Sequence, residues 1–185
     1  SGKGIAAALY AMKLQAPFEL LGKSAPGPKG MLVEMNDVIS ERIERNYFIT
    51  AVVGVVDFQE RKLVLARAGH NHPLHFCART GRATWLNPNG VGIGMKTNPG
   101  FEGLLEEMRI PLETGDVLVF YTDGIPEAMN PKSEPFGYKR LEGALAAASQ
   151  LPAEGIKKEL LKSLESFRQG EDFSDDVTLV VAKII

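Results

Sequence analysis

The sequence predicts a mixed helix-and-sheet domain of the α/β (α+β) class. Three observations carry that prediction. Helical and extended patterns alternate in the order helix, helix, strand cluster, helix, helix, strand. Two apolar strands end in acidic turns, one running Val117-Leu118-Val119-Phe120-Tyr121-Thr122-Asp123-Gly124, the other opening with Ser174-Asp175-Asp176 before Val177-Thr178-Leu179-Val180-Val181. The chain has 185 residues, 44% of them hydrophobic, which suffices for one sizeable core.

The elements follow in order. Residues 4–14 read as an apolar helix rich in Ala and Leu, interrupted at Ala16-Pro17. Lys23-Ser24-Ala25-Pro26-Gly27-Pro28 is dense in chain-punctuating residues and reads as a connector. Over residues 29–45, Met31, Leu32, Met35, Val38, Ile39 and Ile43 recur at three- and four-residue steps, the signature of one helical face. Residues 47–58 and 62–68 read as a β-hairpin around Gln59-Glu60-Arg61, followed by short strands near 74–77 and 83–86. Residues 87–100 hold closely spaced glycines and two prolines and read as a loop, and strands resume at 104–112 and 117–122. Residues 137–149 and 153–167 read as helices, with Pro152 placed to start the second. Residues 177–184, nearly continuous in β-branched side chains, read as a central closing strand. No internal repeat or domain boundary interrupts 1–185, so a single domain is expected.

Composition excludes several classes. Twenty-one Lys and Arg against 23 Asp and Glu give a formal charge of -2, and the basic residues are scattered, so nucleic acid is not an expected partner. Cys77 is the single cysteine and has no disulfide partner within the chain. With no long apolar run and no secretory pattern, a cytoplasmic location is expected.

The acidic turns suggest chemistry. A strand that stops in a carboxylate holds it rigidly, and Mg²⁺ or Mn²⁺ favour such oxygen ligands. Asp also opens turns and caps helices without any metal, so neither turn alone is diagnostic.

Taken with the opening Ser1-Gly2-Lys3-Gly4, the sequence resembles the metal-dependent (PPM, type 2C) serine/threonine protein phosphatases, in the bacterial branch of stage II sporulation protein E and sigma-regulator phosphatases. The matching segments fall in family order: Phe48 through Asp57, Ala68-Gly69-His70-Asn71-His72-Pro73-Leu74, Gly115 through Gly124, Glu127-Ala128, Phe136 through Leu141, and Asp175 through Val181. The resemblance implies an α-β-β-α sandwich lacking its N-terminal strands. It also implies two Mn²⁺ or Mg²⁺ ions that activate water for hydrolysis of phosphoserine or phosphothreonine. On that basis Asp123 and Asp175 are the catalytic metal ligands, Asp176 is a neighbouring ligand or orienter, and Thr122 or Thr178 buttresses the carboxylates. The family motif reads Gly-Asp-x-Ser-Gly-Lys-Gly, and its Asp bridges the two metals. This chain starts at the Ser, so an N-terminally incomplete domain with impaired activity is expected. The implied substrate is a regulatory phosphoprotein such as an anti-sigma-factor antagonist, with a sensor or receiver domain upstream in the parent protein. Sheet edges left by missing strands predict pairing into a homodimer.

Other readings compete. A non-catalytic binding or signalling module on the same fold is the alternative to an enzyme. A zinc hydrolase using His70, His72 and His75 is the second enzyme class, since His-x-His spacing on a strand places two imidazoles on one face. The local sequence lacks an acidic partner for that site, and Asn71 and Pro73 read as turn residues. Gly22-Lys23-Ser24 lacks the strand-loop-helix context of a phosphate loop. Gly90-Val91-Gly92-Ile93-Gly94 lacks dinucleotide spacing and reads as a flexible loop near the site. Lys3, beside a Gly-rich helix start, is a candidate phosphate contact or a simple exposed lysine. Glu41, Arg42, Glu44 and Arg45 read as a solvated face.

Overall fold

The computed structural model describes residues 12–15, 18–19, 21–22, 27–40, 43, 47–95 and 100–185. Ser1 to Gly4, most of the first expected helix, most of the connector, Glu41, Arg42, Glu44 and Arg45 lie outside the described residues. The chain divides into two compact units, Ser1–His70 with Pro88–Pro111, and Asn71–Asn87 with Leu112–Ile185.

The first unit contains helix α1 (Gly27–Ser40) and a three-stranded antiparallel sheet of β1 (Ala51–Asp57), β2 (Lys62–Ala68) and β5 (Glu107–Pro111) in the order β1-β2-β5. Helix α1 begins two residues earlier than the sequence pattern implies, because Pro28 fits a first helical turn, where its missing N–H costs nothing. Met31, Leu32, Met35 and Ile39 are buried in a cluster with Val53, Ala66, Ala68, Ile93, Phe101 and Leu105. Val38 is 42% exposed, a correction to the expected face. At 100° per residue it falls on the margin of the stripe rather than its centre.

The β1–β2 register pairs Asp57 with Lys62 and Ala51 with Ala68, as the hairpin reading requires. The strand is shorter than 47–58; before it, Ile49 makes only an isolated bridge to Ile93. The 90–94 segment corrects the flexible-loop expectation. Ile93 is fully buried and exchanges backbone hydrogen bonds with Ile49. A Cβ on Gly90 would stand 1.7 Å from the Arg67 carbonyl oxygen, so this glycine serves close backbone packing.

The second unit has a four-stranded antiparallel sheet ordered β4-β3-β6-β7, formed by β3 (Leu74–Cys77), β4 (Arg82–Trp85), β6 (Val117–Tyr121) and β7 (Leu179–Lys183). Helices α2 (Gly137–Ala148) and α3 (Ala153–Arg168) complete it. Leu141 and Leu145 of α2 and Ile156, Leu160 and Leu164 of α3 pack with Leu74, Phe76, Val117, Val119 and Tyr121 in one buried cluster. Each fully buried aliphatic side chain of this kind contributes about 1.5–3 kcal/mol. Pro152 caps α3 as the sequence implies.

The closing strand is not central. Among the described residues β7 pairs only with β6 and lies at the sheet edge, with Val180 52% exposed. Its β-branched run reflects strand propensity, which does not distinguish edge from centre. Lys183 fixes its far end by donating to the Ser149 and Leu151 carbonyls at 2.9 and 2.8 Å, at the end of α2.

Candidate metal centre

Strand β6 delivers Asp123. Beyond Tyr121 the chain coils tightly: Ile125 N–H donates to Thr122 O at 3.2 Å and Glu127 N–H to Asp123 O at 3.0 Å. Ile125, 2% exposed, sinks into the core of its unit and anchors the coil, while the Asp123 side chain stays at the surface.

The second acidic turn lies against the first. Thr122 Oγ1 donates to the Asp176 carbonyl at 2.9 Å and accepts from Thr178 N–H at 2.9 Å, and Thr122 N–H donates to Thr178 O at 3.1 Å. A Cβ on Gly124 would come within 2.5 Å of Asp176 O and 3.1 Å of Asp175 O. Only glycine permits this approach, so Gly124 serves proximity between the turns as well as the bend after Asp123. The expected buttress is therefore real but different in target. Thr122 holds the backbone of the 176–178 segment, not a carboxylate.

Asp175 is half-buried and Asp176 exposed. Asp176 N–H donates to Asp175 Oδ1 at 2.8 Å, orienting that carboxylate within its own turn. The donors are of the right kind for a hard divalent cation. Among the described residues no group of three His, Cys, Asp or Glu side chains gathers closely enough to hold an ion. The turns that carry these carboxylates are held together through Thr122 and the close approach at Gly124.

Among the described residues the histidines join no metal-holding group. His75 Nε2 lies 3.0 Å from Asp116 Oδ2, both side chains buried, and His70 Nδ1 lies 3.1 Å from Thr50 Oγ1. The His72 backbone carbonyl accepts from Tyr121 OH at 2.9 Å. Burial, with Tyr138 nearby, pushes the Tyr121 phenol well above its ordinary value, so it stays neutral. Sequence reasoning missed Asp116 as a hub: its Oδ1 accepts from Ala78 N–H at 2.8 Å, and its Oδ2 from Glu113 N–H at 3.1 Å as well as from His75.

Comparison with known proteins gives a consistent picture. The family model for stage II sporulation protein E (SpoIIE) matches residues 1–185. Protein IcfG of Synechocystis sp. is 31% identical over 149 residues, covering 78% of this chain and 22% of IcfG, so the chain spans about a fifth of that curated relative. The SiaA-PP2C domain of Pseudomonas aeruginosa matches with a TM-score of 0.83 at 20% identity, covering 100% of this chain and 72% of that one. The RsbU and RsbW domains of Rv1364c from Mycobacterium tuberculosis match at 0.78 and 23%, covering 98% and 49%. Two more distant matches were determined with divalent cations. They are the manganese-presoaked phosphatase domain of SpoIIE from Bacillus subtilis (TM-score 0.61, 16% identity, 93% and 73% covered) and RsbX in complex with magnesium (0.67, 14%, 100% and 77%). Mixed helices with two antiparallel sheets match the PP2C phosphatase fold.

Proposed function

The chain belongs to the stage II sporulation protein E family, and on that premise we propose that it acts as a metal-dependent protein phosphatase domain on phosphoserine or phosphothreonine. The observation that carries this reading is the contact between the two acidic turns. Thr122 and Gly124 bring the 123 and 175–176 segments together although some 50 residues separate them. Asp123 and Asp175 hold the first Mn²⁺ or Mg²⁺, and Asp176 acts as a neighbouring ligand or orients that shell. Two such cations, when bound, neutralise phosphoryl charge and lower the pKa of the attacking water. The chain's own contribution is placement. Ile125 anchors one turn, Thr122 ties the other to it, and the Asp175–Asp176 hydrogen bond orients a carboxylate.

The substrate in this reading is a regulatory phosphoprotein such as an anti-sigma-factor antagonist, consistent with a fold related to sigma-factor regulatory phosphatases. A sensor or receiver domain accompanies the phosphatase domain in the parent protein. A binding module is the second reading, favoured by the lack of a three-ligand cluster among the described residues.

One experiment separates them. The 185-residue chain and a version extended upstream through the expected Gly-Asp-x are titrated with Mn²⁺ by calorimetry and assayed on a phosphoserine protein. The extended chain should bind two ions and turn over, and the shorter one should bind at most one weakly. An extended chain that binds no Mn²⁺ and hydrolyses nothing supports the binding module. Two tight sites in the shorter chain would show that the bridging carboxylate has been misplaced.

A further inference from the structure

The buried stripe of α3 runs Ile156, Leu160, Leu164 and then, at the next four-residue step, Arg168. A cation stands where the pattern calls for an apolar side chain. Its side chain is 10% exposed. Nη2 donates to Glu165 Oε2 at 3.1 Å, whereas Nε and Nη1 are buried without a hydrogen-bond acceptor. The guanidinium lies over the Phe173 ring, 3.5 Å from its centroid. Hydrogen bonding to Glu165 engages only Nη2 and leaves two donors unmade, so the face of Phe173 supplies the rest of what holds the guanidinium in place.

The chain between them doubles back. Gln169 is left-handed (φ 53°) and its N–H donates to Glu165 O at 3.1 Å; Gly170 has φ 94°, and Glu171 N–H donates to Arg168 O at 3.1 Å. Phe173 precedes Asp175 by two residues, and Thr122 holds the same segment from its other side at 176–178.

We propose that Arg168 and Phe173 form a clamp that fixes the segment carrying Asp175 and Asp176, which makes Arg168 a positioning residue for the acidic site. The clamp rests on geometry; its effect on metal binding rests on the reading of Asp175 as a ligand.

The test uses Phe173→Leu, Phe173→Tyr, Arg168→Met and, as reference, Asp175→Asn in the parent protein. Amide hydrogen exchange is followed without metal, Mn²⁺ affinity by calorimetry, and folding by thermal melting. Phe173 is 38% exposed, so Phe173→Leu does not hollow the core. Arg168→Met removes the two orphan donors and keeps the stem packed, so it should not lower the melt. Both should speed exchange at residues 174–176 and weaken Mn²⁺ binding by about tenfold, the scale of lost positioning partners. Phe173→Tyr keeps the ring face and should behave as the parent. Saturating Mn²⁺ should restore turnover, since the defect lies in affinity. Parental exchange at 174–176 in both clamp variants would overturn the clamp. Faster exchange with parental Mn²⁺ affinity would overturn the positioning role. Parental affinity in Asp175→Asn would instead overturn the metal-ligand reading, and exchange alone would then decide the clamp.

Discussion

Strand β6 is flanked by Asp116 at one end and, past Thr122, by Asp123 at the other, and the two carboxylates meet different surroundings. Asp116 is 1% exposed and its oxygens receive Ala78 N–H, Glu113 N–H and His75 Nε2. Asp123 is exposed, and among the described residues no hydrogen bond is made to its carboxylate. A buried carboxylate that already faces three donors, and is closed off from solvent, is poorly placed to take a further ligand. An exposed one on a fixed turn keeps its lone pairs available, which is what the metal role proposed for Asp123 requires.

The comparison is tested most severely at the exposed end. Asp123→Asn and Asp175→Asn preserve shape and remove charge. In the complete domain each should lower Mn²⁺-dependent hydrolysis of p-nitrophenyl phosphate by at least about 100-fold, since outer-shell partners alone cost 10–100-fold. Melting should match the parent. Near-parental turnover in the double variant would break the comparison.

The buried end should respond in the opposite currency. Asp116→Ala strands two backbone donors and His75, costing about 2–4 kcal/mol, or roughly 5–15 °C in melting for a chain of this size. Turnover per folded molecule and metal content should stay unchanged. His75→Ala should reproduce part of the loss. His72→Ala preserves the backbone carbonyl that Tyr121 uses and should leave both metal content and turnover near parental. Stoichiometric zinc that vanished in the two histidine variants would revive the zinc hydrolase.

Thr122 links the ends of the argument, because its hydroxyl joins the Asp123 turn to the 176–178 segment. Thr122→Val keeps volume and deletes both hydrogen bonds. Mn²⁺ affinity should fall roughly tenfold with a small change in melting. An unchanged affinity would show that Gly124 packing and the Thr122 N–H to Thr178 carbonyl bond suffice to set the approach.

How much of this was legible in the sequence follows from the range of each interaction. The β1–β2 hairpin, strand β6 and Pro152 at the start of α3 were readable because neighbours in sequence determine them. The edge position of β7 was not, since strand order depends on partners far along the chain. The packed 90–94 loop looked flexible because glycines that admit a close backbone and glycines that loosen a chain are spelled alike. Asp123, Asp175 and Asp176 could be named from acidic strand ends and family order, whereas the target of the Thr122 hydroxyl required two segments to be seen together. Arg168 left a readable trace, a charge at the fourth position of an apolar stripe, but its partner Phe173 is placed only by the turn between them.

A third strand-end carboxylate supplies the mildest test. Asp57 closes β1, and its Oδ1 accepts from Gln59 N–H at 3.0 Å and Glu60 N–H at 2.9 Å, the turn-opening role that needs no ligand. The Glu60 hydrogen bond first, then that of Gln59 and the nearby Lys62, outweigh slight desolvation and hold this carboxyl below its ordinary value. A depressed folded-state value stabilises the fold above the unfolded carboxylate's titration near 3.8, and that contribution is lost as pH falls through the folded value. The Asp57 side chain is 36% exposed, so solvent screens much of the effect. Asp57→Ala should therefore melt slightly below the parent at neutral pH, by less than Asp116→Ala, with turnover unchanged. The gap should narrow as the melts are repeated at falling pH through the acid range. A gap that stayed constant would mean that the turn is stabilised by the shape of the residue and not by its charge, which would move Asp57 out of the series that Asp116 and Asp123 define.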